Sequence, residues 1–286
     1  MTPYIIDTHT HVFPDDIVLN RDKYLSRDLS FQSMYSDHKA LLSSGKELLT
    51  YMKEFGIEKS VVNGFGWSSN EMCKFGNDTI IKLVNSDPEK IVGFGTVAPL
   101  ESLDVAIGEI ERLSKAGIKG IGEIRPDTQG LFDMDDESLS LLAMSIRKNR
   151  MILLLHVTEP VGHIYPGKGN MELRQIERLL TFFVGIPIIL SHLGGGLPFY
   201  AYMPEVRKYL DKVWFDTAAL PFLYESKVLD SISNAIGVEK ILFGSDFPLM
   251  KQDRIIDYID NTDLSDTDKE KIFCHNWNDL LRSINE

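Results

Sequence analysis

Residues 4–12 read Tyr-Ile-Ile-Asp-Thr-His-Thr-His-Val. The apolar, β-branched start fits a strand, and the polar end carries two imidazoles. Alternate residues of a strand point the same way, so His9 and His11 face one point. Working outward from this segment, one pattern recurs along the chain. A short apolar run ends in polar or glycine-rich residues, and a helical stretch follows. Eight such runs occur, at 4–12, 60–65, 91–98, 118–124, 151–157, 187–193, 213–218 and 240–247. Their near-continuous hydrophobicity suits strands buried on both faces. Between them, residues 103–116 read LDVAIGEIERLSKA, with apolar positions three and four apart and Gly117 as a stop. Residues 136–149 and 171–184 behave likewise.

Alternating strands and helices imply parallel pairing. Eight repeats in 286 residues match an α/β chain folded as a (β/α)8 TIM barrel. An open doubly wound sheet is the alternative, but no glycine-rich nucleotide motif supports it. No linker breaks the series, so one domain over 1–286 is expected. The longest connection, 14–45, reads as a functional or lid-like loop. Residues 265–284 read as helix, packing beneath or beside the barrel.

Bulk composition narrows the function. Hydrophobic residues make up 43% of the chain, enough for one large core. The formal net charge of −12 disfavours binding to nucleic acid or to anionic lipid. Cys73 and Cys274 stand alone, with no CxxC, which argues against a thiolate zinc site. No signal peptide or membrane-length apolar run is evident, so a soluble cytoplasmic protein is expected. The expected partner is a small-molecule substrate. The oligomeric state stays open, with a homodimer as one option.

The chemistry lies in where the histidines and acids fall. His9 and His11 end the first run, Glu123 the fourth, His156 the fifth, His192 the sixth and Asp246 the eighth. In a parallel barrel all C-terminal strand ends meet at one mouth, so these six groups converge. Imidazole and carboxylate suit a divalent transition metal, and zinc is the expected ion. Taken singly, each residue has a plain reading. His156 could be a satisfied buried histidine, Asp246 a helix cap, and Glu123 a partner of Arg125. A shared metal site explains all six at once. Asp7 could orient a ligand imidazole or cap the barrel bottom. The loop 158–170 carries Glu159, His163, Tyr165 and Lys168 beside the mouth, where His163 or Lys168 would face the ligand. Glu159, His163, Lys168 and Arg125 are the candidate substrate-binding residues, with Arg125, Lys168 or Arg21 suited to a carboxylate. His38 and His275 carry no assigned role.

These residues resemble the amidohydrolase superfamily over nearly the whole chain, from Asp-Thr-His-Thr-His to Gly-Ser-Asp-Phe-Pro. Ser-His-Leu-Gly-Gly-Gly and Phe-Gly-Ser-Asp-Phe-Pro are similar to the amidohydrolase-related branch, which includes aminocarboxymuconate-semialdehyde decarboxylase-like enzymes. The resemblance implies that His9 and His11 hold a first metal and that Asp246 is a ligand or the acid/base. It implies that His156 joins the metal in single-ion members, while His192 polarises substrate or moves protons. Many two-metal members carry a carboxylated lysine on the fourth strand, where this chain has Glu123, which can also bridge. One ion or two both remain open. The resulting expectation is a metal-dependent hydrolase that activates water against an amide, ester or lactone, with Asp246 and His192 catalytic. The alternative is a decarboxylase or hydratase of an unsaturated or aromatic acid. A non-catalytic metal-binding barrel is the lesser one.

Overall fold

The computed structural model describes residues 4–284. Eight strands run in chain order in one parallel sheet: β1 (Ile5–His11), β2 (Ile57–Asn63), β3 (Ile91–Gly95), β4 (Gly120–Ile124), β5 (Ile152–Leu155), β6 (Ile188–Leu190), β7 (Val213–Asp216) and β8 (Ile241–Leu242). Each overlaps one run read from the sequence. The sheet is closed by backbone bonds between β1 and the segment after β8. Thr8 N donates to Phe243 O at 2.8 Å, Asp246 N to His9 O at 2.8 Å, and His11 N to Phe247 O at 2.7 Å. This is the nearly closed (β/α)8 barrel that the strand–helix alternation implies.

Apart from β2, the strands are shorter than the apolar runs, for a physical reason. At the mouth the chain turns away from the sheet, and several non-glycine residues adopt left-handed backbone there. His192 has φ 54° and Asp246 has φ 68°. Such conformations are unfavourable for L-residues and survive only where the surroundings hold them.

Two apolar layers sandwich the strands. Inside, Ile6, Val61, Phe94, Ile152, Leu154, Ile189, Trp214 and Leu242 form one cluster. β4 contributes Gly120 here, because a Cβ would sit 2.6 Å from the Phe94 ring. Trp277 and Leu280 of the helix Asn276–Ser283 join the same cluster, so this end of the chain plugs the barrel from beneath. Outside, Leu113, Leu142, Ile176 and Ile255 pack helices against the strands.

The segment 14–45, expected from the sequence to be a loop, is largely helical instead. It holds three short helices, Asp15–Leu19, Arg21–Leu25 and Leu29–Tyr35. Asp28 caps the third, accepting from Phe31 N at 2.9 Å, and also accepts from Ser68 N and Oγ at 2.8 Å. A separate aromatic cluster of Phe13, Phe31, Tyr35, Phe65 and Trp67 fixes these helices over the mouth. The segment lacks a continuous 3.6-residue stripe because each helix is under two turns long.

The seam between β1 and β8 also carries a buried acid. Asp7 Oδ2 accepts from Ser245 Oγ at 2.6 Å, and Oδ1 accepts from Ser245 N at 3.0 Å and His9 N at 3.2 Å. Burial raises the Asp7 carboxyl to about 6, and its hydrogen bonds pull the other way. Because its folded pKa lies above the unfolded value, Asp7 favours folding below about pH 4, and that contribution is lost as pH rises to about 6. Ser245→Ala removes a donor from the ionised form. It is expected to cost about 1–3 kcal/mol, and more at pH 8 than at pH 5. Urea unfolding at both pH values checks this, and an equal cost at both would contradict it.

Candidate metal centre and cavity

The mouth gathers all six candidate ligands. His9 and His11, alternate residues of β1, bring their Nε2 atoms to 3.1 Å. Glu123 Oε2 lies 3.4 Å from His11 Nε2 and 3.7 Å from His9 Nε2. Asp246 Oδ1 lies 3.7 Å from His11 Nε2 and 3.8 Å from His9 Nε2. His9, His11 and Asp246 form one potential metal-binding set and Glu123, His156 and His192 another, each with ligand atoms within 4.8 Å of one another.

Hydrogen bonding decides which imidazole atoms face inward. His9 Nδ1 donates to Asp216 Oδ2 at 2.8 Å, and His11 Nδ1 to the Asn63 carbonyl at 3.2 Å. Both Nε2 atoms therefore offer lone pairs to the same space, beside two carboxylates. Four electron-rich atoms this close repel one another unless a cation lies among them. The donor set thus fits a divalent metal. Without one, a proton fills the need: burial opposes charge on His9, but the Asp216 and Glu123 carboxylates outweigh it and hold its pKa well above the ordinary imidazole range. Burial likewise works against ionised Glu123, yet His156 and His9 hold it well below the usual carboxylate range.

The other histidines are arranged differently. His192 Nδ1 donates to the Ala218 carbonyl at 3.0 Å, leaving Nε2 toward the cavity, 3.7 Å from Glu123 Oε1. Its left-handed backbone is held by Asp216 Oδ1, which accepts from His192 N at 2.9 Å and Ala218 N at 3.1 Å. His156 has both nitrogens engaged, Nδ1 with Glu123 Oε1 at 2.9 Å and Nε2 with the Gly167 carbonyl at 3.0 Å. Ligation by His156 would need one of those partners to give way. Ser191 Oγ also donates to Glu123 Oε1, at 2.7 Å.

Above this floor lies a cavity of about 470 Å³. Its walls come from Met34, Tyr35 and Leu41 of the inserted segment, from Phe65 after β2, from Tyr165 to Gly167, and from Phe222 and Leu249. Burial pushes the Tyr35 hydroxyl far up, and the Asp246 and Glu123 carboxylates add to this, so it remains a neutral donor.

Of the four candidate substrate-binding residues, Arg125 and His163 line the cavity, and Glu159 and Lys168 do not. Glu159 Oε2 accepts from Tyr165 OH at 3.1 Å. Lys168 Nζ turns back into its own loop, donating to the Val161 carbonyl at 2.5 Å and the His163 carbonyl at 2.8 Å. Arg21 likewise donates to the carbonyls of Asp37 and Ala40. The ring-orienting role considered for Asp7 belongs to Asp216. That residue ends the seventh run in Phe-Asp-Thr, so the strand-end rule applied to the other six would have found it. Tyr35 carries no such signal, because only the packing of the inserted helices puts it at the mouth.

The amidohydrolase family model matches residues 6–282 of this chain. Gamma-resorcylate decarboxylase of Polaromonas sp. is 24% identical, over 81% of this chain and 85% of its own. The structure of 5-carboxyvanillate decarboxylase from Sphingomonas paucimobilis aligns at TM-score 0.79 and 17% identity, covering 98% of this chain and 99% of that one. A dihydroxybenzoic acid decarboxylase from Polaromonas sp., described with bound manganese and 2-nitroresorcinol, aligns at TM-score 0.72 and 19% identity, covering 99% and 98%. The structural likenesses agree on the barrel. With the family model matched across nearly its whole length, this chain belongs to the amidohydrolase family, in the amidohydrolase-related branch that its strand-end motifs resemble.

Proposed function

We propose that this protein is a metal-dependent decarboxylase of an aromatic carboxylic acid. The hydrolase expectation is withdrawn. It is overturned by the relatives, which are named as gamma-resorcylate, 5-carboxyvanillate and dihydroxybenzoic acid decarboxylases. The physical reason is that one strand-end ligand set serves both reactions, so the motifs specify a metal and not the bond that breaks. The observation that carries the new reading is the cavity: a largely apolar, aromatic-walled space closes over the clustered His9, His11, Glu123 and Asp246. A flat ring suits such walls, and an acid group suits the floor.

His9, His11 and Asp246 are the proposed ligands of the first ion. Glu123, His156 and His192 form the second candidate set, reached through the Glu123 carboxylate. Manganese replaces zinc as the preferred ion, because a related structure is described with it and mixed imidazole and carboxylate donors accept it. When bound, the ion supplies a Lewis acid that fixes the acid group of the substrate at the floor. The net reaction exchanges carboxylate for hydrogen: the ring–carboxyl bond breaks, CO2 leaves, and a proton takes up the electron pair on the ring carbon. Asp246 and His192 are the groups proposed to hold that proton, His192 at Nε2 because its Nδ1 is engaged with the Ala218 carbonyl. The wall contributed by 34–41 keeps bulk water from the reacting carbon. Arg125 and His163 on the wall are proposed to face the substrate.

Incubation of the manganese-loaded protein with a panel of hydroxybenzoates should release CO2. No release from any member would overturn the reading. Asp246→Asn should lower that release by about 10²–10⁴-fold, because Asn cannot carry the proton, while thermal unfolding stays that of a folded protein. Survival of activity within about tenfold would remove Asp246 from the proton path. Asp216→Asn should weaken metal binding by about 10–100-fold: the single amide oxygen cannot serve both His9 Nδ1 and the backbone N–H groups of His192 and Ala218, so either the His9 ring or the His192 backbone loses its acceptor. Metal titration with elemental analysis measures this, and its stoichiometry decides between one ion and two.

A further inference from the structure

The cavity is larger than a single ring needs. Its volume is about 470 Å³. A hydroxybenzoate of about ten non-hydrogen atoms takes up on the order of 150–200 Å³ at interior packing density. The remainder would admit on the order of ten waters at roughly 30 Å³ each. Water beside the reacting carbon would offset the dry wall that favours decarboxylation. A substrate that fills the space excludes it.

The walls around that space are of two kinds. On one side Arg125 follows β4, and His163 and Tyr165 follow β5. On the other side Phe222 and Leu223 follow β7, Leu249 follows β8 and Leu41 follows β1. With the strands ordered β1 to β8 around a barrel, β4 and β5 stand across the mouth from β8 and β1. Asp37 and Lys39 also line the cavity, from the inserted segment. One side thus offers donors and a cation, and the other chiefly hydrocarbon.

The hydrocarbon side is left uncovered by the rest of the chain. Leu41 is 58% exposed, Leu249 54% and Phe222 48%. None of the three belongs to a core cluster. Scattered exposed apolar side chains need no explanation, but a group of them on one cavity wall marks surface that a ligand covers. The wall is also held in place. Leu249 N donates to Asp246 O at 2.8 Å, so a tight turn ties it to a candidate metal ligand. Phe222 N donates to Ala219 O at 2.9 Å, and the Arg254 guanidinium lies 5.3 Å from the centre of the Phe222 ring. A wall fixed before binding loses little freedom when it is covered.

Resting on the decarboxylase reading, we propose that the substrate is an aromatic acid enlarged by a second apolar ring fused to the first. Its carboxylate lies on the metal floor, its polar edge faces Arg125 and His163, and its second ring covers Leu41, Phe222 and Leu249. Those three residues then set the specificity. A fused ring adds apolar area without a rotatable bond, so no extra freedom is lost on binding. Single-ring hydroxybenzoates are the small members of the class, turned over but bound more weakly because part of the wall stays wet.

The test uses salicylate, 1-hydroxy-2-naphthoate and 3-hydroxy-2-naphthoate as probes, by titration calorimetry on the manganese-loaded full chain. All share a carboxylate and an ortho hydroxyl, and the naphthoates differ in which edge carries the second ring. That ring adds about four carbons, so the better naphthoate is expected to bind about tenfold to a hundredfold more tightly than salicylate. Leu249→Asn and Phe222→Asn should each lower this preference about fivefold or more. Both side chains are half-exposed, so the variants should fold, which thermal unfolding checks; Leu41→Asn reads the same wall from a separate segment if either does not. A wild-type preference below about tenfold for both naphthoates would overturn the proposal. So would a preference that stays within about twofold of wild type in the folded variants. Failure of the decarboxylase reading looks different: no CO2 from any hydroxybenzoate or hydroxynaphthoate, with a naphthoate preference that still depends on Leu249 and Phe222.

Discussion

Closure of the sheet between β1 and β8 is the constraint on which the site depends. β8 itself is two residues long, so the join rests on the residues that follow it. Ser245 is tied to Asp7, Asp246 N to His9 O, and Phe247 O to His11 N. Each tie joins a residue that carries chemistry, or its neighbour, to the opposite side of the seam. The contacts that close the barrel are thus the contacts that bring Asp246 to the two histidines. Loosening the seam would separate the ligands without touching any of them.

A second consequence is strain placed where it is useful. His192 and Asp246 both stand in left-handed backbone. Asp216 offsets this at His192 by accepting two backbone N–H groups with one oxygen, while its other oxygen orients His9. One buried carboxylate therefore fixes the tautomer of one histidine and the backbone of another. Buried carboxylates in this floor are tolerable because each is hydrogen-bonded, and because a cation would complete the set.

The proposed reaction class accords with what stands above the floor. A hydrolase needs water at the reacting carbon, whereas a decarboxylase needs a single proton delivered there and benefits from a dry wall. The inserted helices with Tyr35, together with Phe65 and Phe222, supply such a wall. The Tyr35 part of that wall comes from the segment least legible in the sequence, 14–45, which is why a metal-based reading alone favours hydrolysis.

The sequence by itself determined the barrel, through eight apolar runs, and the convergence of His9, His11, Glu123, His156, His192 and Asp246, through their places at strand ends. Both follow from local periodicity and from the rule that parallel strand ends share one face. It also held Asp216 in plain view at the seventh run. Tertiary structure decided which nitrogen of each histidine faces inward, because that depends on Asn63, Asp216 and Ala218 lying on neighbouring elements. It decided that Lys168 folds back on its own loop while Arg125 stands in the wall. It decided that 14–45 forms helices whose aromatic residues pack against Phe65 and Trp67. Those outcomes rest on packing between segments distant in the chain, which a single strand or helix pattern does not encode.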